Sequence, residues 1–284
     1  RVLLEIKIEA DGKDEAIDFK AEDPKTLDRE KIIQKLLDSG VWPFIRQRPY
    51  SVIANPADNP KAIFISTFDT APLAPDNDLI VHGHGEAFQT GIDALSKLTN
   101  GKIHLNIDAN ATHSKVFTNS KGVQINQFSG PHPAGNVGVQ INKIDPLNKG
   151  EVIWYLYPQD VLAIGRLFAT GRYDASRVVA LTGSEVLRPA YYKTKIGAAI
   201  EPLVKGNVSD TEKRFISGNV LTGTKIDLDG YMSFYHTQAT VIPEGNYYEL
   251  FGWALPGFNK FSVSKSFPSF LFKKQFCFMA SHLF

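Results

Sequence analysis

A histidine held between two prolines and two glycines is the feature of this sequence whose residue types come closest to a binding site. Residues 130–135 read Gly-Pro-His-Pro-Ala-Gly. Glycine and proline at this density exclude a helix or a central strand, so the segment must be a shaped loop. The prolines restrict the backbone beside His132, while Gly130 and Gly135 allow a flat ring to approach closely. We predict that these three residues contact a ligand; a rigid loop that only packs against a neighbouring domain explains the same pattern.

A second cluster combines two histidines with a carboxylate. His82, His84 and Glu86 alternate with glycines after the apolar run 79–81 and before a predicted helix, where α/β proteins bind ligands. These side chains could hold a metal, but no second histidine-rich motif supplies the remaining ligands. The segment is not GxGxxG, and no P-loop lysine follows it. We favour a glycine-permitted turn with partly exposed imidazoles, and keep a nucleotide or flavin site at residues 83–85 and a metal site as alternatives.

The other reactive side chains favour structural roles. Asp108, Asn110 and His113 follow a predicted strand and could act as acid and base, but a helix cap or a turn in which Asp and Asn bond their own backbone explains them better. Cys277 is the one cysteine, which excludes an internal disulfide and a thiolate cluster for iron and sulfur. We therefore take the cytoplasm as the default compartment.

Composition excludes several classes of protein. The chain has 284 residues, 43% of them hydrophobic, which is enough for one to three folded domains. Its 31 basic and 30 acidic residues nearly cancel and form no long block, which argues against nucleic acid as a partner. No apolar run approaches the roughly 20 residues that span a bilayer. The chain starts at Arg1 within an alternating pattern, as expected of a piece cut from a longer polypeptide.

Hydrophobic spacing predicts the elements that must position these residues. Strands are expected at residues 2–9, 62–66, 102–107 and 123–128, and helices at 27–37, 88–98 and 158–170, with an irregular segment around Trp42 and Pro49. Strands that alternate with helices indicate a parallel α/β layer. From about residue 175 onward the pattern becomes β-rich, with short strands at 177–181, 188–195, 215–218, 231–234 and 239–243 and one helix at 196–204. We therefore predict a domain boundary near residue 175.

Two aromatic segments fall in the β-rich part. Tyr191 and Tyr192 are expected to be strand residues half buried against a neighbour rather than a stacking platform. Residues 251–257 place large apolar groups beside turn-forming residues, which fits either a contact with another protein chain or a strand rim packed on its own core.

Three long strings, at residues 64–76, 129–139 and 251–263, resemble the A subunit of the sodium-translocating NADH:quinone reductase. The resemblance implies a fold similar to the flavin-bearing subunit of respiratory complex I: a Rossmann-like three-layer domain followed by a β-grasp domain of the soluble-ligand-binding type. The expected domains are residues 27–175 and 176–252, preceded by a remnant of an N-terminal β-rich domain at 1–26. Residues 253–284 form a C-terminal segment, truncated relative to the family, whose last part from 272 departs from the family pattern.

The same resemblance implies a role in a membrane complex. The chain is expected to be a peripheral subunit on the cytoplasmic face of the bacterial inner membrane, docked on membrane subunits and helping to bind ubiquinone. NADH, flavins and Na⁺ would be used by the whole complex, with no flavin or iron–sulfur centre on this chain. No family residue assigns the quinone contacts, so Gly130, His132 and Gly135 rest on the chemistry of the loop alone.

Overall fold

The computed structural model describes residues 6–10, 12–13, 15–111, 114–246, 248, 250–258 and 266–271. The first half of the predicted strand 2–9, His113, Cys277 and the tail 272–284 lie outside these residues. The chain divides into two compact units, residues 1–70 with 76–177, and residues 71–75 with 178–284.

Among its described residues, the first unit has a six-stranded sheet and six α-helices. Its strands are β1 (Arg46–Arg48), β2 (Val52–Ile53), β3 (Ile63–Ser66), β4 (Ile103–Asp108), β5 (Gln124–Phe128) and β6 (Ile153–Leu156). Its helices are α1 (Arg29–Asp38), α2 (Asn77–Val81), α3 (Gly85–Ser96), α4 (Lys115–Thr118), α5 (Val137–Ile144) and α6 (Pro158–Thr170), with 3-10 turns at Pro24–Thr26 and Trp42–Phe44.

The strand order β2-β1-β6-β3-β4-β5 brings the ends of the central strands together. Strands β3, β4, β5 and β6 are parallel, so their carboxyl ends share one edge of the sheet, whereas β1 pairs antiparallel with β6, and β2 pairs antiparallel with β1. This confirms the predicted parallel α/β layer. Connections that leave the same edge can build one site from distant parts of the sequence.

Helix α6 shows how local sequence fixes an element. Pro158 occupies its first turn, where no amide donor is needed, and Gly171 ends it with a φ of 74°. Its middle packs on α3 through Gly165, where an added Cβ would lie 1.7 Å from the carbonyl oxygen of Ala87. Close approach of the two helix backbones therefore requires glycine at this position.

The second unit is built on a five-stranded sheet. It contains β7 (Ser176–Thr182), which begins in the first unit, β8 (Ala190–Lys195), β9 (Lys213–Ser217), β10 (Thr224–Ile226) and β11 (Gln238–Pro243). The order is β10-β9-β11-β7-β8, with β11 parallel to β7 and antiparallel to β9. A short helix α7 (Glu201–Val204) contributes to its core, and a 3-10 helix lies at Pro268–Leu271.

Several predicted elements are wrong. Residues 6–9 form no strand, and the apolar run 79–81 belongs to helix α2, whose first amides are bonded by the Asp76 side chain. Residues 231–234 form only an isolated bridge, because Tyr231 pairs with Ala199 rather than with a strand. The predicted helix 196–204 is helical only from Glu201. The segment expected to be irregular contains β1, because β6 supplies its hydrogen-bonding partners.

Candidate functional site

The loop of residues 130–135 lies at the carboxyl edge of the first sheet. It follows edge strand β5 and leads into α5, whose amino-terminal amide at Gly138 is capped by the Asn136 side chain. Pro131, His132 and Pro133 are exposed, whereas Gly135 is buried. Gly130 has a φ of 140°, which favours glycine. The loop therefore presents its histidine to solvent and anchors its far end in the protein.

Gly135 provides that anchor. Its amide donates to Thr70 Oγ1 at 3.0 Å, and its carbonyl accepts from Ser66 Oγ at 3.2 Å. A Cβ on Gly135 would lie 2.6 Å from the amide nitrogen of Thr70 and 2.9 Å from the Cα of Asp69. The loop thus crosses the end of β4 and packs directly on the backbone that follows β3. Only glycine permits this approach.

His132 shares the Thr70 hydroxyl with Gly135. Its Nδ1 lies 3.1 Å from Thr70 Oγ1, while the ring itself is exposed. One ring nitrogen is therefore held by the protein, and the opposite edge of the imidazole faces outward. The structure places Gly130, His132 and Gly135 in one loop, which Gly135 anchors.

A row of buried polar side chains supports the loop from below. Gln140, on α5, is fully buried; its Nε2 donates to Ser66 Oγ at 2.9 Å and to the carbonyl of Ala134 at 3.3 Å. Its Oε1 accepts from Asn106 Nδ2 at 2.9 Å, and Asn126 Nδ2 donates to Asn106 Oδ1 at 2.8 Å. Buried amides paired with one another in this way favour a single arrangement. The network fixes the loop relative to strands β3 and β4.

The sequence pattern did not indicate the residues of this network as candidates for a site. Ser66, Asn106 and Asn126 are directly opposite one another in adjacent parallel strands. Polar residues within strands predicted to be buried are a signal that could have indicated them. Their alignment, however, depends on strand register, which the spacing along the chain does not reveal.

His104 extends the same polar face and was also not predicted. It is buried and stacks on Phe64 with ring centroids 4.5 Å apart. Its Nδ1 lies 3.2 Å from Asn126 Nδ2. Burial lowers the pKa of the imidazole, which favours a neutral ring near pH 7.

The amino-terminal turn of α5 carries positive charge. The helix dipole places a partial positive charge there. The guanidinium groups of Arg46 and Arg48 lie over the Tyr155 ring, 4.8 and 5.3 Å from its centroid, and a Cβ on Gly138 would lie 3.4 Å from Arg48 Nη2. The Arg48 guanidinium therefore lies beside the first turn of α5.

The histidine pair at 82 and 84 has a different setting from the predicted one. His82, His84 and Glu86 are exposed, and His84 is the residue before the first turn of α3, shortly after the end of α2. The glycine turn therefore joins two helices rather than a strand and a helix. Within the part of the chain that the structure describes, no group of three or more His, Cys, Asp or Glu side chains could hold a metal ion.

The remaining candidates take up structural positions. Asp108 Oδ1 accepts from the Asn110 amide at 2.9 Å, which confirms the predicted turn, while His113 lies outside the described residues. Tyr192 packs against the core of the second unit, as expected of a half-buried strand residue, whereas Tyr191 is exposed. By contrast, the described residues of the 250–258 segment leave large apolar side chains exposed: Leu250 85%, Phe251 63%, Trp253 83%, Leu255 52% and Phe258 52%.

The fold itself is shared with a solved redox enzyme. The crystal structure of an NAD⁺-reducing [NiFe]-hydrogenase in its air-oxidized state superposes with a TM-score of 0.58 at 12% identity, covering 76% of this chain and 47% of the hydrogenase chain. At this identity the likeness shows the fold alone. The chain is thus an α/β protein whose first sheet is parallel at its centre and whose second unit carries a smaller mixed sheet.

Sequence comparison assigns the family. Residues 27–173 match the model of the NqrA second alpha/beta domain, and residues 178–227 match the NQRA C-terminal domain. The chain is 40% identical over 279 residues to the A subunit of the Na(+)-translocating NADH-quinone reductase of Yersinia pestis bv. Antiqua, and 41% identical over 283 residues to that of Photorhabdus laumondii. These alignments cover 97% and 98% of the chain. The chain belongs to the NqrA family, as its resemblance predicted, and spans 62% and 63% of the length of these relatives.

Proposed function

We propose that this chain forms part of the A subunit of a sodium-translocating NADH:quinone reductase. The observation that carries the proposal is the sequence identity between this chain and such subunits, which extends over almost the whole length of the chain. The assembled complex would oxidise NADH, reduce a quinone and move Na⁺, with flavins and other redox centres on its other subunits. The role of this chain would be to dock on the membrane subunits of the complex and to contact the quinone.

The quinone contact is assigned to the loop of residues 130–135. A quinone is a flat ring with two carbonyl oxygens, so it needs a flat neighbour and a hydrogen-bond donor. The exposed ring of His132 lies between two prolines on a loop anchored at Gly135, and the positive amino-terminal turn of α5 favours carbonyl oxygens. These features support quinone contacts by His132, Gly130 and Gly135.

Docking is assigned to the exposed apolar segment 250–258. Large apolar groups that remain more than half exposed mark surfaces where proteins meet. We propose that this segment contacts other subunits of the complex, and that the protein lies at the cytoplasmic face of the bacterial inner membrane. No helix within the described residues has the length and hydrophobicity needed for a bilayer crossing.

We further propose that the chain holds no flavin. Flavin and dinucleotide phosphates are usually bound where a glycine-rich turn follows the first parallel strand. Here residues 67–76 follow β3 and contain two prolines and no glycine. The glycine turn at 83–85 joins two helices, so the alternative of a free-standing nucleotide or flavin enzyme has no support at that position.

In this proposal the first unit is a Rossmann-like domain of residues 27–175, and the second is a β-grasp domain of residues 176–252. The order β6-β3-β4-β5, with the first parallel strand between the second and the fourth, supports the former. A mixed sheet with one short helix against it supports the latter.

The quinone assignment is tested by calorimetric titration of the protein with a short-chain ubiquinone analogue. We expect saturable binding that His132→Ala weakens by up to about ten-fold, because one hydrogen bond contributes about 0.5–1.5 kcal/mol. His82→Ala is the matched control, since it removes another exposed imidazole of the same unit. Absence of saturable binding, or equal weakening by both substitutions, would refute the assignment.

A further inference from the structure

Thr70 joins the two functional ends of the loop through one hydroxyl group. Its Oγ1 lies 3.0 Å from the Gly135 amide nitrogen and 3.1 Å from His132 Nδ1. Thr70 itself follows strand β3 and is half buried. The hydroxyl therefore connects the central strand of the sheet to an exposed imidazole.

The numbers of protons and lone pairs on these three groups limit which of them can donate a hydrogen bond. A hydroxyl offers one proton and two lone pairs. The Gly135 amide can only donate, so it occupies one lone pair of Thr70 Oγ1. If His132 Nδ1 carried a proton, it would take the second lone pair, and the hydroxyl proton would have to be donated elsewhere. Donation from Thr70 to an unprotonated Nδ1 pairs all three groups within the loop and strand end.

We infer that Thr70 is a positioning residue that holds neutral His132 with its proton on Nε2, so that the exposed edge of the ring is a hydrogen-bond donor. This inference rests on the proposed function and adds the ligand chemistry of the same site. A quinone carbonyl has lone pairs and no proton, so it can bind Nε2 only when that nitrogen is protonated. The opposite tautomer would set two lone pairs against each other.

The surroundings prevent Thr70 and the loop from separating. A shift of Gly135 is limited by its close packing on the Thr70 amide, and Gln140 holds the preceding carbonyl of Ala134. Ser66 bonds both Gln140 and Gly135. The hydroxyl is therefore presented to the imidazole by groups that belong to the sheet and to α5.

The test is the nitrogen NMR spectrum of histidine-labelled protein without quinone, at a pH at which the rings are neutral. His132→Gln assigns the signals, and exposed His82 is an internal reference. In the unsubstituted protein we expect His132 to be a single Nε2–H tautomer. In Thr70→Val, His132 should be a mixture of tautomers like that of His82, and in Thr70→Ser it should again be the single tautomer. Thr90→Val, which removes another hydroxyl of the same unit, should leave the pattern unchanged. Both tautomers in the unsubstituted protein, or one in Thr70→Val, would overturn the inference.

Quinone titration of the same variants separates this inference from the proposed function. We expect Thr70→Val to weaken binding about three- to ten-fold and Thr70→Ser to restore it, because one hydrogen bond is affected. If the tautomer is fixed but no quinone binds, the proposed function and the donor role both fail. If quinone binds and the tautomer is mixed, the proposed function stands and the role of Thr70 is refuted.

Discussion

Gly135→Ala is the substitution that should most directly test the anchoring of the loop. The added Cβ would lie 2.6 Å from the Thr70 amide nitrogen and 2.9 Å from the Asp69 Cα. Both are backbone atoms, so no side-chain rotation relieves the contact. Gly135 is outside the left-handed region, so the cost is steric rather than conformational.

The magnitude follows from packing and one hydrogen bond. Overpacking costs about 1–3 kcal/mol, and separating the Gly135 amide from Thr70 adds about 1 kcal/mol. The free energy of unfolding should therefore fall by about 2–4 kcal/mol. With a urea dependence of about 2 kcal/mol/M, the unfolding midpoint should drop by about 1–2 M.

Tryptophan fluorescence during urea unfolding can follow the first unit. Trp42 and Trp154 are buried there with ring centroids 5.5 Å apart, whereas Trp253, the third tryptophan of the chain, is 83% exposed. The matched control is Gly85→Ala at the start of α3, where a Cβ would meet only Val116 Cγ2, at 3.9 Å. Its midpoint should be unchanged or higher. A Gly135→Ala midpoint equal to that of the unsubstituted protein would refute the close approach of the loop.

Two further predictions concern the second unit. In the full-length protein produced with the rest of the complex, Trp253→Asp should abolish co-purification with the other subunits, because it places a charge in an exposed apolar segment. Tyr50→Asp, at an equally exposed position in the first unit, should leave co-purification intact. Co-purification of the Trp253→Asp protein, or its loss with both substitutions, would contradict the docking assignment. Hydrogen bonding from Arg214 lowers the pKa of Glu244 from 4.5 to about 2. Glu244 should therefore stabilise the fold above pH about 4.5, and this contribution should be lost as the pH falls through about 2. Urea unfolding followed by circular dichroism should show that the unsubstituted protein and Glu244→Gln differ less and less in their free energy of unfolding as the pH falls over this range. Glu201→Gln should change the free energy of unfolding little at any of these pH values. A difference between the unsubstituted protein and Glu244→Gln that grows toward low pH would contradict the pairing.

Regular elements with clear local signals were predictable. Helix α6 has apolar residues at helical spacing, proline in its first turn and glycine after its last, and the structure places it at the predicted residues Pro158–Thr170. Strands β3, β4 and β5 lie within one or two residues of their expected bounds. Short segments were not predictable in this way. Three apolar residues at 79–81 show no period, and the Asp76 cap decided in favour of a helix.

The candidate site also has a part that the sequence predicted and a part that it did not. The density of glycine and proline indicated a shaped loop at residues 130–135, and the structure has that loop, with Gly135 buried at the base and His132 exposed. Nothing in the spacing pointed to Thr70 or Gln140. Thr70 lies 65 residues from Gly135 along the chain and becomes its partner only because β3 and β5 flank β4 in one sheet.

Hydrophobic spacing, turn residues and long matching strings are local properties of the chain, and they were enough to identify the family, the central strands, the long helices and a shaped histidine loop. The strand order, and the register that aligns Ser66, Asn106 and Asn126, became visible only in the folded chain. The tertiary structure also brings the Thr70 hydroxyl to His132. Contacts of this kind depend on packing between elements distant in sequence, and no local pattern encodes which of many polar residues will meet.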